Sequence, residues 1–172
     1  MTELASAPER AEARNLRRIT HWIDGKAVTG TSGRVGPVYN PATGAQTGEV
    51  EFASVEEVDR AVASARAAFP AWRALSLSRR AELMFRIREL VHQRREDLAR
   101  VLTAEHGKVF SDAMGEVTRG LEVIEYACGI PTLLKGGFSE QASTGVDVYS
   151  IRQPLGVVGG ITPFNFLSLI HI

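Results

Sequence analysis

Pro154-Leu155-Gly156-Val157-Val158-Gly159-Gly160-Ile161-Thr162-Pro163-Phe164-Asn165-Phe166 is the stretch on which the fold turns. Residues 155–162 form a nearly continuous apolar run bearing three glycines. That is the composition of a parallel-sheet strand buried on both faces, since a half-exposed strand would alternate. The run leads into Pro-Phe-Asn-Phe, and in parallel α/β folds ligands bind at the carboxyl ends of strands. An Asn in that place can offer its amide N–H to a substrate oxyanion. On pattern alone a plain strand with a tight exit turn stands ahead of this reading. The Gly-x-Gly-x-x-Gly fingerprint is missing from the stretch, and the chain has no Gly-x-x-x-x-Gly-Lys-Ser/Thr phosphate loop.

Upstream, Val146, Val148 and Ser150 alternate with Asp147, Tyr149 and Ile151, a period of two that predicts a strand over 146–152. Before it lie helical patterns. Ser111 opens one that carries Met114, Val117, Leu121, Ile124 and Cys128 on one side and is broken or kinked at Pro131. A shorter helix over 96–105 stops at His106-Gly107, where glycine suits a left-handed cap. In the helix capped by Ser78, Leu83, Ile87, Leu90 and Val91 mark the core face, with Arg79, Arg80, Glu82, Arg86 and Arg88 opposite. Interleaved acids make that Arg-rich face a solvated one with Glu partners. Ser54-Val55-Glu56-Glu57 is a capping box that starts a helix over 55–69, and Pro70 is expected to end it. Thr47 to Phe52 reads as a strand, and residues 30–44, rich in Gly and Pro, as a loop. Asp24-Gly25 between two short β-prone runs predicts a hairpin over 20–28. Residues 1–18, rich in Ala, Glu and Arg and without an apolar core, read as a mobile tail rather than a secretory signal; Glu3, Glu9 and Glu12 also argue against a mitochondrial presequence.

The 172 residues carry 20 Lys+Arg against 20 Asp+Glu, so no net basic charge serves a phosphate backbone, and nucleic acid is not an expected partner. With 44% hydrophobic and 23% charged residues the composition is globular. No stretch reaches the length of a membrane-spanning helix, and a cytoplasmic setting is expected. One cysteine supports neither an intramolecular disulfide nor a zinc framework. As a nucleophile with His106 and Asn165, Cys128 is badly placed, because its spacing from Leu121 and Ile124 puts it on a packed face as a small hydrophobe. His21, His92, His106 and His171 share no ligand spacing, so no metal site is expected.

Taken together with its neighbours, the 154–166 stretch resembles the first cofactor-domain strand of the NAD(P)-dependent aldehyde dehydrogenase superfamily. Trp22-Ile23-Asp24-Gly25, Tyr39-Asn40-Pro41-Ala42-Thr43-Gly44, Phe69-Pro70-Ala71-Trp72 and Glu105-His106-Gly107-Lys108 resemble that superfamily's N-terminal half in the same order. Phe164 before Asn165, with the stretches 122–128 and 147–152, is most similar to the CoA-acylating methylmalonate-semialdehyde dehydrogenases. The resemblance implies an α/β fold: hairpin strands and about four helices, a strand at 146–152 used for homo-oligomer contact, and the first parallel strand of a cofactor domain within an incomplete unit spanning 19–172.

It also implies oxidation of malonate or methylmalonate semialdehyde with NAD and coenzyme A, giving acetyl- or propionyl-CoA. Asn165 would be the oxyanion donor, and Ile161, Thr162, Pro163 and Phe164 would contact NAD. The family continues past Asn-Phe with Pro and a helix, whereas here Leu167-Ser168-Leu169-Ile170-His171-Ile172 follows. The resemblance thus implies a truncated N-terminal part, inactive by itself, without the catalytic domain and its nucleophilic Cys. A hydrolytic aldehyde dehydrogenase and a noncatalytic α/β interaction module are the two alternatives.

Overall fold

The structure is a computed structural model that describes residues 16–161 together with Pro163 and Asn165. Asp24 and Gly25 both have positive φ, 56° and 71°, the mirror-image turn whose twist matches that of paired strands. Accordingly β2 (His21–Ile23) and β3 (Lys26–Val28) form the expected antiparallel hairpin. A separate three-stranded sheet has β5 (Gln46–Glu51) at its centre, with β1 (Arg17–Ile19) parallel on one side and β4 (Val35–Tyr39) antiparallel on the other. Two sequence expectations change here. Arg17 and Arg18, placed in the tail, are paired with Gly48 and Glu49. The sequence predicts a loop for the stretch containing β4, because Gly36 and Pro37 look like breakers. β4 is an edge strand, where a residue without an N–H is tolerated, and the Phe52 ring sits so close that a Cβ at Gly36 would lie 2.6 Å from its Cζ.

The capping box at α1 (Val55–Ala74) is formed: Glu57 N–H donates to Ser54 Oγ (3.3 Å) and Ser54 N–H to Glu57 Oε2 (2.8 Å). The helix runs four residues past Pro70 instead of ending there. Proline removes one hydrogen bond, and in this solvent-exposed stretch water can take up the unpaired carbonyl while Ala71–Ala74 keep helical geometry. Glu57 does more than cap. Its Oε1 also accepts the Thr31 N–H (2.7 Å) and hydroxyl (3.1 Å), while Glu51 accepts from Gly30 N–H and from Arg18. These two buried carboxylates tie the 30–31 connection between sheet and helix.

Both groups titrate below the ordinary carboxylate range, Glu51 chiefly through the Gly30 N–H and Glu57 chiefly through the Ser54 N–H. A depressed folded-state pKa contributes stability above the unfolded value that is lost as pH falls through the carboxylate range. Glu57→Gln should therefore lower Tm most at neutral pH, with the gap from the parent narrowing toward pH 3. A gap that stays constant across that range, followed by circular dichroism, would remove the charge of Glu57 from the account.

α2 (Leu77–Gln93), α3 (Arg95–His106) and α4 (Phe110–Cys128) make the helical layer, with α4 packed on both others and the short α5 (Ile130–Leu133) after it. Ser76, two residues earlier than expected, caps α2 by accepting from Arg79 N–H. Gly107 closes α3 with φ 81°. Ala99 and Leu102 of α3 meet Ala113 and Val117 of α4, with Val91 and Met114 against them, and Ile124 and Cys128 continue the buried face. The stripe expected on α4 is the one that packs.

On α2 the packed stripe is rotated. Leu83 and Leu90 are exposed, whereas Ala81, Met84, Ile87, Arg88 and Val91 turn inward. The rotation lets Arg88 donate from Nη2 to Glu125 Oε1 of α4 at 2.8 Å. Glu82 pairs with both Arg79 (3.2 Å) and Arg86 (2.6 Å), so these two arginines form the solvated, Glu-paired face the sequence indicated, while Arg88, expected on that face, does not lie on it.

Candidate functional site

After α5 the chain forms a hairpin of β6 (Phe138–Ser143) and β7 (Val146–Tyr149), exposed at every residue. It then runs back beside Gly136-Gly137. A Cβ at Gly136 would lie 1.7 Å from the Ser150 carbonyl oxygen, and Ser150 N–H donates to Gly137 O at 2.9 Å. Only glycine permits that crossing. Beyond it, residues 155–161 do not form the expected buried parallel strand: Leu155 is 95% exposed and Ile161 fully so. A strand apolar on both faces needs partners at its edges and helices over its sides, and none of the described strands pairs with this run. Nothing approaches within 4 Å of a Cβ built at Gly156, Gly159 or Gly160.

The segment returns to the body at its far end. Lys108 Nζ donates to the backbone carbonyl of Asn165 at 3.4 Å, and the same ammonium is paired with the Glu116 carboxylate of α4. Glu116 is only 3% exposed. Lys108 follows directly on the left-handed Gly107, where a Cβ would meet Pro41 Cγ at 2.9 Å. The two motifs 39–44 and 105–108 therefore meet in space. The first is a turn: Asn40 Oδ1 accepts Ala42 N–H (2.9 Å), and Gly44, φ 71°, returns its N–H to Asn40 O (2.8 Å).

Of the residues singled out from sequence, Asn165, Pro163 and Ile161 are exposed, and Thr162 and Phe164 lie outside the described residues. Cys128 does not join them. It is the last residue of α4, twelve positions from Glu116, roughly 18 Å along the axis at 1.5 Å per residue, so no Cys/His/Asn assembly forms around Asn165. Among the described residues no group of three or more His, Cys, Asp or Glu side chains could hold a metal ion, and no helix is long and apolar enough to cross a membrane. Sequence reasoning did not find Lys108 and Glu116 as a pair; a Gly-Lys step after a helix and a lone Glu on an apolar helix face were the available signals.

The chain is a member of the aldehyde dehydrogenase family, whose profile matches residues 28–171. It is 46% identical over 154 residues to malonate-semialdehyde dehydrogenase 2 of Geobacillus thermodenitrificans (strain NG80-2), covering 90% of this chain and 32% of that protein. To the mitochondrial methylmalonate-semialdehyde dehydrogenase [acylating] of Arabidopsis thaliana it is 40% identical over 170 residues, 98% of this chain and 28% of that one. Among solved structures, one from Sinorhizobium meliloti 1021, described as a methylmalonate-semialdehyde dehydrogenase complexed with NAD, superposes with a TM-score of 0.86 at 48% identity, over 90% of this chain and 32% of the other. The chain thus spans about a third of the length of the relatives it matches.

Proposed function

We propose that this chain is the N-terminal part of an NAD-dependent, CoA-acylating malonate or methylmalonate semialdehyde dehydrogenase. The observation that carries the reading is Asn165 standing exposed at the end of an open glycine-bearing backbone while its carbonyl is held by Lys108. Similarity to semialdehyde dehydrogenases over nine-tenths of the chain supports the substrate class.

In this reading a cysteine thiolate from the rest of the enzyme adds to the aldehyde carbon, and the former carbonyl oxygen becomes an oxyanion. Asn165 donates a side-chain N–H to that oxygen where charge develops, and Ile161, Thr162, Pro163 and Phe164 border the cofactor. NAD supplies the two-electron acceptor. The aldehyde hydrogen would leave as hydride to that acceptor, the carboxylate would leave as carbon dioxide with a proton taken up at the α-carbon, and the CoA thiol would take the acyl group as the enzyme thiolate departs, giving acetyl- or propionyl-CoA. The exposed hairpin leading into 146–152 serves contact between subunits of a homo-oligomer in the cytosol.

The test uses the complete enzyme, in which this chain is continued by the rest of the family's length. Asn165→Ala should leave NAD affinity nearly intact and lower kcat by about 10² to 10³, the usual loss for one oxyanion donor. An unchanged kcat removes Asn165 from the site. Turnover that needs CoA supports acyl transfer to a thiol, whereas equal turnover without it assigns the enzyme to the hydrolytic class.

A further inference from the structure

We infer that Lys108, fixed by the buried carboxylate of Glu116, is a positioning residue for Asn165: its ammonium holds the Asn165 carbonyl and so restrains the place from which that residue's side-chain amide reaches the site. The inference rests on the reading of Asn165 as the oxyanion donor, and it adds two residues that the sequence motifs left without a role.

The pair is far more buried than the ion pairs on the helix surfaces among the described residues. Arg100 and Glu96, 3.0 Å apart, are each 61% exposed at the side chain, and such pairs contribute little geometry because both partners move in solvent. Lys108 and Glu116 are 15% and 1% exposed at the side chain. Removing both charges from water is costly and is tolerated only with good geometry and further hydrogen bonds to the ammonium. An ammonium carries three N–H donors. Glu116 on the rigid α4 helix fixes where Nζ sits, and the Asn165 carbonyl takes one of its protons.

The carbonyl oxygen and Cα of a residue belong to one rigid peptide plane, so holding the oxygen keeps Cα at a fixed distance from the ammonium's partner atom. The Asn165 side chain then starts from a restrained Cα, in a segment whose described residues 155–161 lie exposed and outside the described strands. Oxyanion stabilisation depends on donors already aimed at the developing charge, so the buried pair couples the helical layer to the chemistry. Lys108 touches no reacting atom, and its effect passes through Asn165.

Two measurements test this. In the complete enzyme Lys108→Met should lower kcat by about 10- to 100-fold, the range expected when a catalytic group is misplaced rather than deleted, with KM for NAD changed less than about threefold and most of kcat restored in Lys108→Arg. In an Asn165→Ala background the same Lys108→Met change should cost less than about twofold, because residues acting through one group are not additive. Full activity in Lys108→Met, or an equal loss in both backgrounds, overturns the inference. Unchanged kcat in Asn165→Ala would instead overturn the reading it rests on.

The contact itself is read without activity, by solid-state dipolar recoupling on the sedimented 172-residue chain labelled at Asn carbonyl ¹³C and Lys ¹⁵Nζ. Of Asn15, Asn40 and Asn165, only Asn165 should lose signal to a lysine nitrogen, and Glu116→Gln should weaken that loss. An Asn165 carbonyl with no such coupling in the parent chain overturns the inference whatever the kinetics.

Discussion

Given malonate semialdehyde, NAD and CoA, the purified 172-residue chain is expected to form no NADH. Oxidation of an aldehyde by this family's chemistry begins with a thiolate adding to the carbonyl carbon, and the only sulfhydryl in the sequence is Cys128. That thiol is 8% exposed, on the same face of α4 as the fully buried Ile124, and lies roughly 18 Å along α4 from the Glu116 that anchors Asn165 through Lys108. A thiol so far withdrawn from the surface offers the aldehyde little access. Cys128→Ala should accordingly leave activity at background and cost only stability, on the order of 1 kcal/mol for a small void. NADH formation that survives Cys128→Ala would contradict a thiolate mechanism in this chain. Formation abolished by the same change would overturn the assignment of Cys128 to the core.

What could be read from the sequence was what depends on near neighbours. Asp24-Gly25 specifies its turn through two positive φ angles, Ser54 and Glu57 cap a helix across three residues, and Gly107 ends α3 by adopting a conformation other residues avoid. The apolar stripe of α4 was legible because 3.6-residue periodicity is intrinsic to the helix. β1, β4 and β6 were not legible, since their pairing depends on partners up to about thirty residues away and their own composition, Arg17-Arg18, Gly36-Pro37 and Ser139-Glu140, argues against strand. The rotation of α2 escaped for a related reason. Its inward face includes Arg88, and only the presence of Glu125 on the neighbouring helix makes an arginine a packing residue.

The candidate site divides in the same way. Asn165 was visible by resemblance and by its place after a glycine-bearing apolar run, while the Lys108–Glu116 seat beneath it was not. Its partners are separated by a helix cap and then by 57 residues of chain. Glu57 shows the same limit from the other side: the capping box was read correctly, yet the second oxygen's bonds to Thr31 come from a connection that no local pattern links to it.

The same segment that carries Asn165 should make the chain associate with itself. Leu155, Val157, Val158 and Ile161 are all exposed, in a run whose composition suits burial on both faces. Burying a large aliphatic side chain is worth roughly 1.5–3 kcal/mol, so leaving four of them in water forgoes several kcal/mol, a large fraction of a domain's net stability. Two copies can recover part of that by pairing these runs edge to edge, the usual fate of an uncovered apolar strand. Sedimentation velocity should therefore show species well above the 18.7 kDa monomer, growing with concentration. Deleting residues 155–172 should remove the larger ones and raise solubility. Any dimer that persists is then assigned to the exposed β6–β7 hairpin, and Val148→Lys, which puts a charge on that face, should dissociate it. A monodisperse monomer for the intact chain, with no gain in solubility on the deletion, would mean that the run finds cover within its own molecule, and would reinstate the buried strand that its sequence describes.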